Sequence, residues 1–373
     1  MENNYLKDQI ITYMGNKRKL LDIIENSIDQ IIPKINKKTL SFGDGFSGSG
    51  IVSRLLKKKC NKLFVNDLAG YSHTINQCYL SNPNQQTQNK IKQYIDIVNE
   101  ISNHYEEIEN PFISLHWSPK NKDILKQDRA YFTYENGKRI DKMRNYIETI
   151  PKKYIPYLLA PLLVECSIHN NTNGQFSAFY KDENGTGKYG GKNEIDIKRI
   201  TKPIQIPYPI FHINDCKIQC SQNDTNEWAK SFQNREPLDI VYYDPPYNKH
   251  PYNIYYFLLD IINDWDTSIE IPDSNRGQPL NWRTSDYNSS KNAKKAMIDL
   301  LKNTNARYIL LSYNDGGIIP IHELDKLLKE SEQEVTKIPI DHKTYNKLKG
   351  ISNYKREKEY KKVKEFLYIL KHI

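Results

Sequence analysis

The chain has no apolar run long enough to cross a bilayer. The longest, Ile155 to Cys166, is short and holds Pro156 and Pro161. From Met1 to Tyr13 the N-terminus is polar and includes Lys7 and Asp8, so no secretory leader is expected. Cysteine is scarce: five in 373 residues, at positions Cys60, Cys78, Cys166, Cys216 and Cys220. Their odd number and scatter argue against a disulfide framework and for a reducing compartment, the cytoplasm. Cys216 and Cys220 are four apart, but no His or Cys pair accompanies them at zinc spacing, so no metal is expected. Low apolar content also limits the reading. Hydrophobic residues make up 38% and charged residues 27%, and the mean hydropathy is −0.75. That is enough for a packed core under a very polar surface. The length suggests about two domains. The net charge of +9 is compatible with a polyanionic partner. The 27 tyrosines are compatible with base stacking, and equally with an AT-rich coding sequence.

The most informative segment is Asp244-Pro245-Pro246-Tyr247, directly after the apolar run Leu238-Asp239-Ile240-Val241-Tyr242-Tyr243. The run is short, β-branched and aromatic, as expected of a buried parallel strand. Two prolines cannot continue a sheet ladder, so the chain must turn out into a stiff loop. A carboxylate, a proline-held carbonyl and an aromatic ring are thereby gathered at the carboxyl end of a strand, where open α/β sheets bind ligands. Two acceptors and a π-face suit an exocyclic amino group on a planar base.

The first 80 residues alternate in type. Leu20, Leu21, Ile24, Ile28 and Ile31 fall at helical spacing until Pro33, where the helix is expected to end. Thr39 to Phe42 predicts a strand, Ile51 to Leu56 a helix, and Lys62 to Asp67 a second strand. Further strands are expected near Lys217–Cys220, Leu238–Tyr243, Tyr308–Ser312 and Phe366–Leu370. This pattern predicts a parallel sheet with crossover helices. The stretch 95–205 differs: a helix is expected from Ile140 to Ile150, and Lys181 to Lys192 is a glycine-rich loop expected to be flexible without a ligand. One α/β domain (1–95 and 206–373) interrupted by an insert (96–205) is the simplest arrangement.

Between the first strand and helix lies Asp44-Gly45-Phe46-Ser47-Gly48-Ser49-Gly50. Its glycines allow a tight turn and close approach to a ligand. No phosphate-gripping lysine follows, so a nucleoside triphosphate or dinucleotide is poorly supported. Asp67 ends the second strand, about 20 residues on, where an acid commonly accepts bonds from ribose hydroxyls. It could equally cap the next helix.

Together these elements resemble the S-adenosylmethionine-dependent DNA N6-adenine methyltransferases of the DNA adenine methylase-like group, in which the cofactor motif comes first and Asp-Pro-Pro-Tyr last. Tyr13-Met14-Gly15-Asn16-Lys17 looks like that family's N-terminal element, Asp44 to Gly50 like its methionine-binding loop, and Asn66-Asp67 like its ribose-binding acid. Tyr131-Phe132-Thr133, Lys138 to Asp141, and Asn173-Gly174-x-Phe176-x-Ala178-Phe179 are similar to elements of restriction–modification members. Leu310 to Asn314 and Glu365 to Tyr368 continue the likeness. The resemblance implies a Rossmann-like class I methyltransferase sheet with a mostly helical target-recognition insert. Its implied cofactor is S-adenosylmethionine, held by Tyr13, Lys17, Asp44, Phe46, Ser47, Gly48, Asp67, Asn223, Asp224 and Asp244. Asp244, Pro245, Pro246 and Tyr247 would be catalytic. The implied substrate is double-stranded DNA in a prokaryotic cytoplasm, with a cognate restriction endonuclease as a compatible partner. Asn170 and Asn173 are expected to reach base edges; with Asn171 they could equally be turn residues. Lys249, His250 and Tyr252 are expected near the displaced strand, and Lys355 and Arg356 at phosphates within the basic segment Lys343 to Lys364. An RNA adenine, a DNA cytosine amino group, or a DNA-binding subunit without activity remain alternatives at this stage.

Overall fold

In the computed structural model, residues 2–249, 251–280, 284–332, 334–342 and 363–373 are described. Seven strands form one sheet: β1 (Ser41–Asp44), β2 (Lys62–Asn66), β3 (Lys217–Ser221), β4 (Leu238–Tyr243), β5 (Ala306–Asn314), β6 (Glu334–His342) and β7 (Val363–Lys371). Their order is β3-β2-β1-β4-β5-β7-β6. The first five neighbours pair in parallel. β7 runs antiparallel to both β5 and β6. The sheet reverses its strand order beside β1, and the carboxyl ends of β1, β2 and β4 open there together, at the kind of crevice where such sheets bind ligands.

All six residues of β4 are buried, because a central strand is covered on both faces. Ile240 and Tyr242 pack with the helices Leu21–Ile35 and Ile51–Lys57. Val241 and Tyr243 pack with the helices Ala293–Asn303 and Ile321–Ser331. A third core joins the helices Gly70–Tyr79, Gln85–Asn103, Tyr134–Ile147, Ile155–Ile168 and Tyr252–Asp264. The stretch 96–205 holds helices but no strand of the sheet, and it shares its core with helices on either side of it in the sequence.

Several boundaries differ from expectation. Helix Leu21–Ile35 runs past Pro33 and ends on Asn36 in the left-handed conformation, φ 52°. Pro33 sits in the last turn, so the one hydrogen bond its missing N–H removes is lost close to the end of the helix. Helix Tyr134–Ile147 starts before Ile140, since Thr133 accepts from the Asn136 N–H as an N-cap. Gly137 in its first turn packs closely on the 117–118 turn: a Cβ there would fall 2.0 Å from Ser118 Oγ. Strand β6 was not expected. It is an edge strand and carries Pro339, which only an edge tolerates. The 181–192 loop forms a turn. Lys181 bridges Gly187, and Asp182 Oδ1 accepts from the Asn184 and Thr186 N–H groups at 2.9 Å each.

Candidate active site

A cavity of about 330 Å³ lies at the carboxyl ends of β1, β2 and β4. Its wall includes Tyr13, Lys17, Phe46, Ser47, Gly48, Asp67, Asp224, Asp244, Pro246 and Tyr252. Most of the cofactor and catalytic residues expected from the sequence are therefore brought to one site.

One end is built from neighbouring chain. The Gly48 N–H donates to Asp67 Oδ2 at 2.7 Å, and the Ala69 N–H to Asp67 Oδ1 at 2.9 Å. Burial pushes the Asp67 carboxyl up, and these N–H groups counter it. Gly48 has φ +49°, and a Cβ on it would lie 3.0 Å from the Tyr13 ring. Only glycine lets that ring close over the loop. Gly43, Gly45 and Gly48 do fall at dinucleotide-fingerprint spacing, but Gly43 lies inside β1 rather than in the turn.

Two expected cofactor residues sit elsewhere. Asp44 is 0% exposed and does not reach the cavity wall. Its Oδ2 accepts from Ser53 Oγ at 2.5 Å, and its Oδ1 has no partner. Burial pushes its pKa up to about 7, against the Ser53 hydrogen bond. Asp44 therefore supports the loop from behind. Asn223 is tied to β2: its N–H donates to Asn66 Oδ1, and its carbonyl accepts from Asn66 Nδ2. Asp224 does line the cavity while capping helix Thr225–Lys230 through the Asn226 and Glu227 N–H groups.

The other end is built from distant chain. Lys17 opens a short 3-10 turn, Lys17–Leu20, and is 4% exposed. Its Nζ lies 3.1 Å from Asp244 Oδ1 and 2.5 Å from Glu365 Oε1. Burial works to lower the Lys17 ammonium, but the two carboxylates outweigh it and hold it above its ordinary value. Asp244 is pushed up to about 6 by burial, with Lys17 lowering it and Glu365 raising it. The Lys17 ammonium is thus held between two carboxylates, with Asp244 Oδ1 facing it as one half of a buried ion pair.

Tyrosines pack at this end: Tyr13 and Tyr252 line the wall, and Tyr247 and Tyr256 lie behind it. Tyr13 stacks on Tyr252 and Tyr256 with ring centroids 5.1 and 4.9 Å apart, and the Met14 N–H donates to the Tyr256 hydroxyl at 2.6 Å. Tyr252 is thus part of the cavity wall, half-buried with the Tyr13 ring stacked on it. Tyr247 sits edge-on to Tyr313, 6.3 Å away, with Lys17 Nζ 5.8 Å from its ring centre. Pro245 is buried beneath the loop.

The expected base readers divide. Asn170 is 1% exposed; its Nδ2 donates to the Cys166 carbonyl and its Oδ1 accepts from Thr172 Oγ1 at 2.6 Å. Its side chain is a turn element with both ends occupied. Asn171 likewise donates to the Ala130 and Lys188 carbonyls. Asn173 is half-buried, and its Oδ1 has no partner. The same turn abuts the site: the Gln175 amide reaches Met14 Sδ, and the Phe176 N–H donates to the Tyr255 carbonyl. Lys249 is exposed. His250, Lys355 and Arg356 lie outside the described residues. Sequence reasoning missed Gln222, Asp260, Asp264 and Asn288 on the wall. Asp260 and Asp264 had a signal, as acids one turn apart at the end of an otherwise apolar helix. Asp260 is pushed up to about 7 by burial and by Asp264.

A parallel sheet with one antiparallel strand, and a nucleoside-sized crevice between a glycine loop and an Asp-Pro-Pro-Tyr turn, define a class I methyltransferase. The chain belongs to the D12 class N6 adenine-specific DNA methyltransferases, whose family model matches residues 13–327. It is similar to the type II methyltransferase M.NlaIII of Neisseria lactamica, with 26% identity over 96% of this chain and 99% of that protein. It is also similar to modification methylase LlaI of Lactococcus lactis subsp. lactis, with 28% identity over 85% of this chain and 48% of that protein. The type II methyltransferase M.FokI of Planomicrobium okeanokoites is 28% identical over 85% of this chain and 46% of its own length. The chain thus spans nearly all of the first and about half of the other two. Among the described residues, no helix is long and apolar enough to cross a membrane and no cluster could hold a metal ion.

Proposed function

We propose that this protein is the modification enzyme of a restriction–modification system, methylating the N6 amino group of adenine at one DNA sequence, with S-adenosylmethionine as donor and a cognate endonuclease as its partner. The observation that carries the reading is the Asp244 carboxylate on the cavity wall at the Asp-Pro-Pro-Tyr turn, with the Lys17 ammonium 3.1 Å from its Oδ1. The crevice fits the donor on two counts. Its volume of about 330 Å³ suits a nucleoside with an amino-acid tail, and Asp67 and Asp224 offer acceptors at the end built by the glycine loop. Asp67 and Asp224 would hold the nucleoside, Phe46, Ser47 and Gly48 the tail. When bound, S-adenosylmethionine supplies an electrophilic methyl group on a sulfonium.

The remaining chemistry belongs to the chain. Adenine's amino lone pair is delocalised into the ring, which makes it a poor nucleophile. Asp244 and the Pro245 carbonyl accept its two N–H bonds, draw density onto nitrogen and favour tetrahedral geometry there. Tyr247 stacks on the ring. Positioning and electrostatic complementarity supply most of the acceleration. The base must leave the duplex to reach Asp244, and residues 96–205, with Asn173 at the turn beside Met14, are assigned to reading the flanking sequence. Lys249 is assigned to the phosphate backbone.

The test is methyl transfer from labelled S-adenosylmethionine to unmethylated genomic DNA, followed by nucleoside analysis. N6-methyladenine from wild type and none from Asp244→Ala is the expected result. N4-methylcytosine, or label entering RNA alone, would overturn it.

A further inference from the structure

Glu365 is outside the cavity wall and lies on β7, opposite Asn314 of β5. Its Oε1 meets Lys17 Nζ at 2.5 Å and Ser312 Oγ at 3.4 Å. Lys17 is therefore shared between two carboxylates, and the closer of the two is Glu365 rather than Asp244. With one cation and two anions, the cluster keeps one net negative charge.

We propose that Glu365 is a positioning residue for the methyl-accepting base: it takes the closer ion pair with Lys17, and so keeps that ammonium from closing fully on Asp244, which stays charged as the acceptor an amino group requires. The inference rests on the reading of Asp244 as that acceptor. A buried ammonium cannot be left without a partner. If Glu365 were neutral, Lys17 would have only Asp244 to close on, with three N–H donors to offer it. Asp244 would then be neutralised and its acceptor occupied before any base arrived. If Lys17 were absent instead, Asp244 and Glu365 would face each other as like charges, and a proton would be retained between them. The cluster works only complete, or with both outer members removed together.

Other titratable groups around Asp244 are Asp44 at the end of β1, Tyr242 of β4, Tyr247 in the loop and Tyr252 at the start of helix Tyr252–Asp264. Burial raises all three tyrosines, which keeps them neutral near pH 7. Asp44 is unchanged between the variants below. Because Glu365 raises and Lys17 lowers Asp244, their removal moves its titration in opposite directions.

The experiment uses the full chain with Glu365→Gln, Glu365→Asp, Lys17→Met and the double variant Lys17→Met/Glu365→Gln. Three quantities are followed: kcat on DNA against pH, the Asp244 carboxyl titration in cofactor-free protein by carbon-13 NMR, and S-adenosylmethionine affinity by calorimetry. For Glu365→Gln we expect kcat to fall about tenfold on the plateau. Its acid limb and carboxyl titration move to lower pH, and cofactor affinity stays near wild type. Lys17→Met moves both to higher pH, the double variant returns toward wild type, and Glu365→Asp keeps the wild-type profile. A Glu365→Gln enzyme that loses kcat with no shift of limb or carboxyl overturns the proposal, as does a double variant no better than Lys17→Met. The parent reading fails differently, by wild type making no N6-methyladenine at all.

Discussion

The two ends of the crevice are built on opposite plans. At the glycine-loop end, Asp67 is held by the N–H groups of Gly48 and Ala69, within 19 residues of sequence. At the Asp-Pro-Pro-Tyr end, Asp244 is governed by Lys17 and Glu365, and the Lys17–Glu365 contact spans 348 residues. Backbone N–H groups satisfy a carboxylate wherever the loop folds. A charge balanced by side chains from a distant strand exists only when the whole sheet has closed. The difference predicts that the first end carries binding and the second carries rate.

The largest expected effect tests that division directly. Asp244→Ala should lower kcat by about a thousandfold or more, as loss of a transition-state electrostatic partner does, with cofactor affinity near wild type. Asp67→Ala should weaken S-adenosylmethionine binding by roughly ten- to a hundredfold, the worth of a hydrogen bond to a charged group, with kcat at saturation nearly kept. Calorimetry and saturation kinetics on both variants decide it. If each variant loses affinity and rate alike, the two ends act as one and the comparison breaks.

A smaller effect sharpens it. Asp44, Asp244 and Asp260 are all pushed above their unfolded value of 3.8, to about 7, 6 and 7, with burial the leading cause. An acid with a raised folded pKa binds protons more tightly when folded. Its contribution therefore opposes folding at pH 8 and is relieved as pH falls toward 5. Activity goes the other way, because protonated Asp244 no longer accepts from the amino group. For Asp44, which does not touch the cavity, the stability term should appear without the activity term. Urea unfolding of wild type and Asp44→Asn from pH 8 to 5 should show the wild type gaining about 2–3 kcal/mol relative to the variant. A gain of opposite sign would mean that Asp44 is charged and paired in the fold.

The same contrast explains what could be read from the sequence. The Asp44–Gly50 turn, Asp67 and the Asp-Pro-Pro-Tyr loop announce themselves because each is a short segment next to a strand, where local pattern and local structure coincide. The parallel order of β1 to β5 follows from alternating strands and helices. Glu365 could be placed on a strand but not beside Lys17, since nothing local links positions so far apart. Asp44 departs from its motif for the reverse reason: its position suggests a ligand contact, yet it does not line the cavity, and Ser53, nine residues on, donates to its carboxylate. Strand β6 was hidden by Pro339, which reads as a breaker until the strand is known to lie at the edge. Asn170 illustrates the general difficulty, since an asparagine in the turn that ends at Gly174 is as ready to serve the turn as a base.

That last ambiguity carries the smallest prediction, and it contrasts a buried polar residue with an exposed one. Asn170→Ala removes the donor to Cys166 and the acceptor for Thr172 from a site 1% exposed to solvent. The cost should be about 1–3 kcal/mol of stability, since both partners are left buried and unmatched. Lys249→Ala, at an exposed position, should leave stability unchanged. It should weaken DNA binding a few-fold for all sequences and reduce the salt dependence of affinity by about one counterion. Denaturation curves and DNA titrations at several salt concentrations separate the two outcomes. If Asn170→Ala were instead stable and methylated a relaxed set of sites, its side chain would have to leave the turn when DNA binds, and the residue would be a base reader after all.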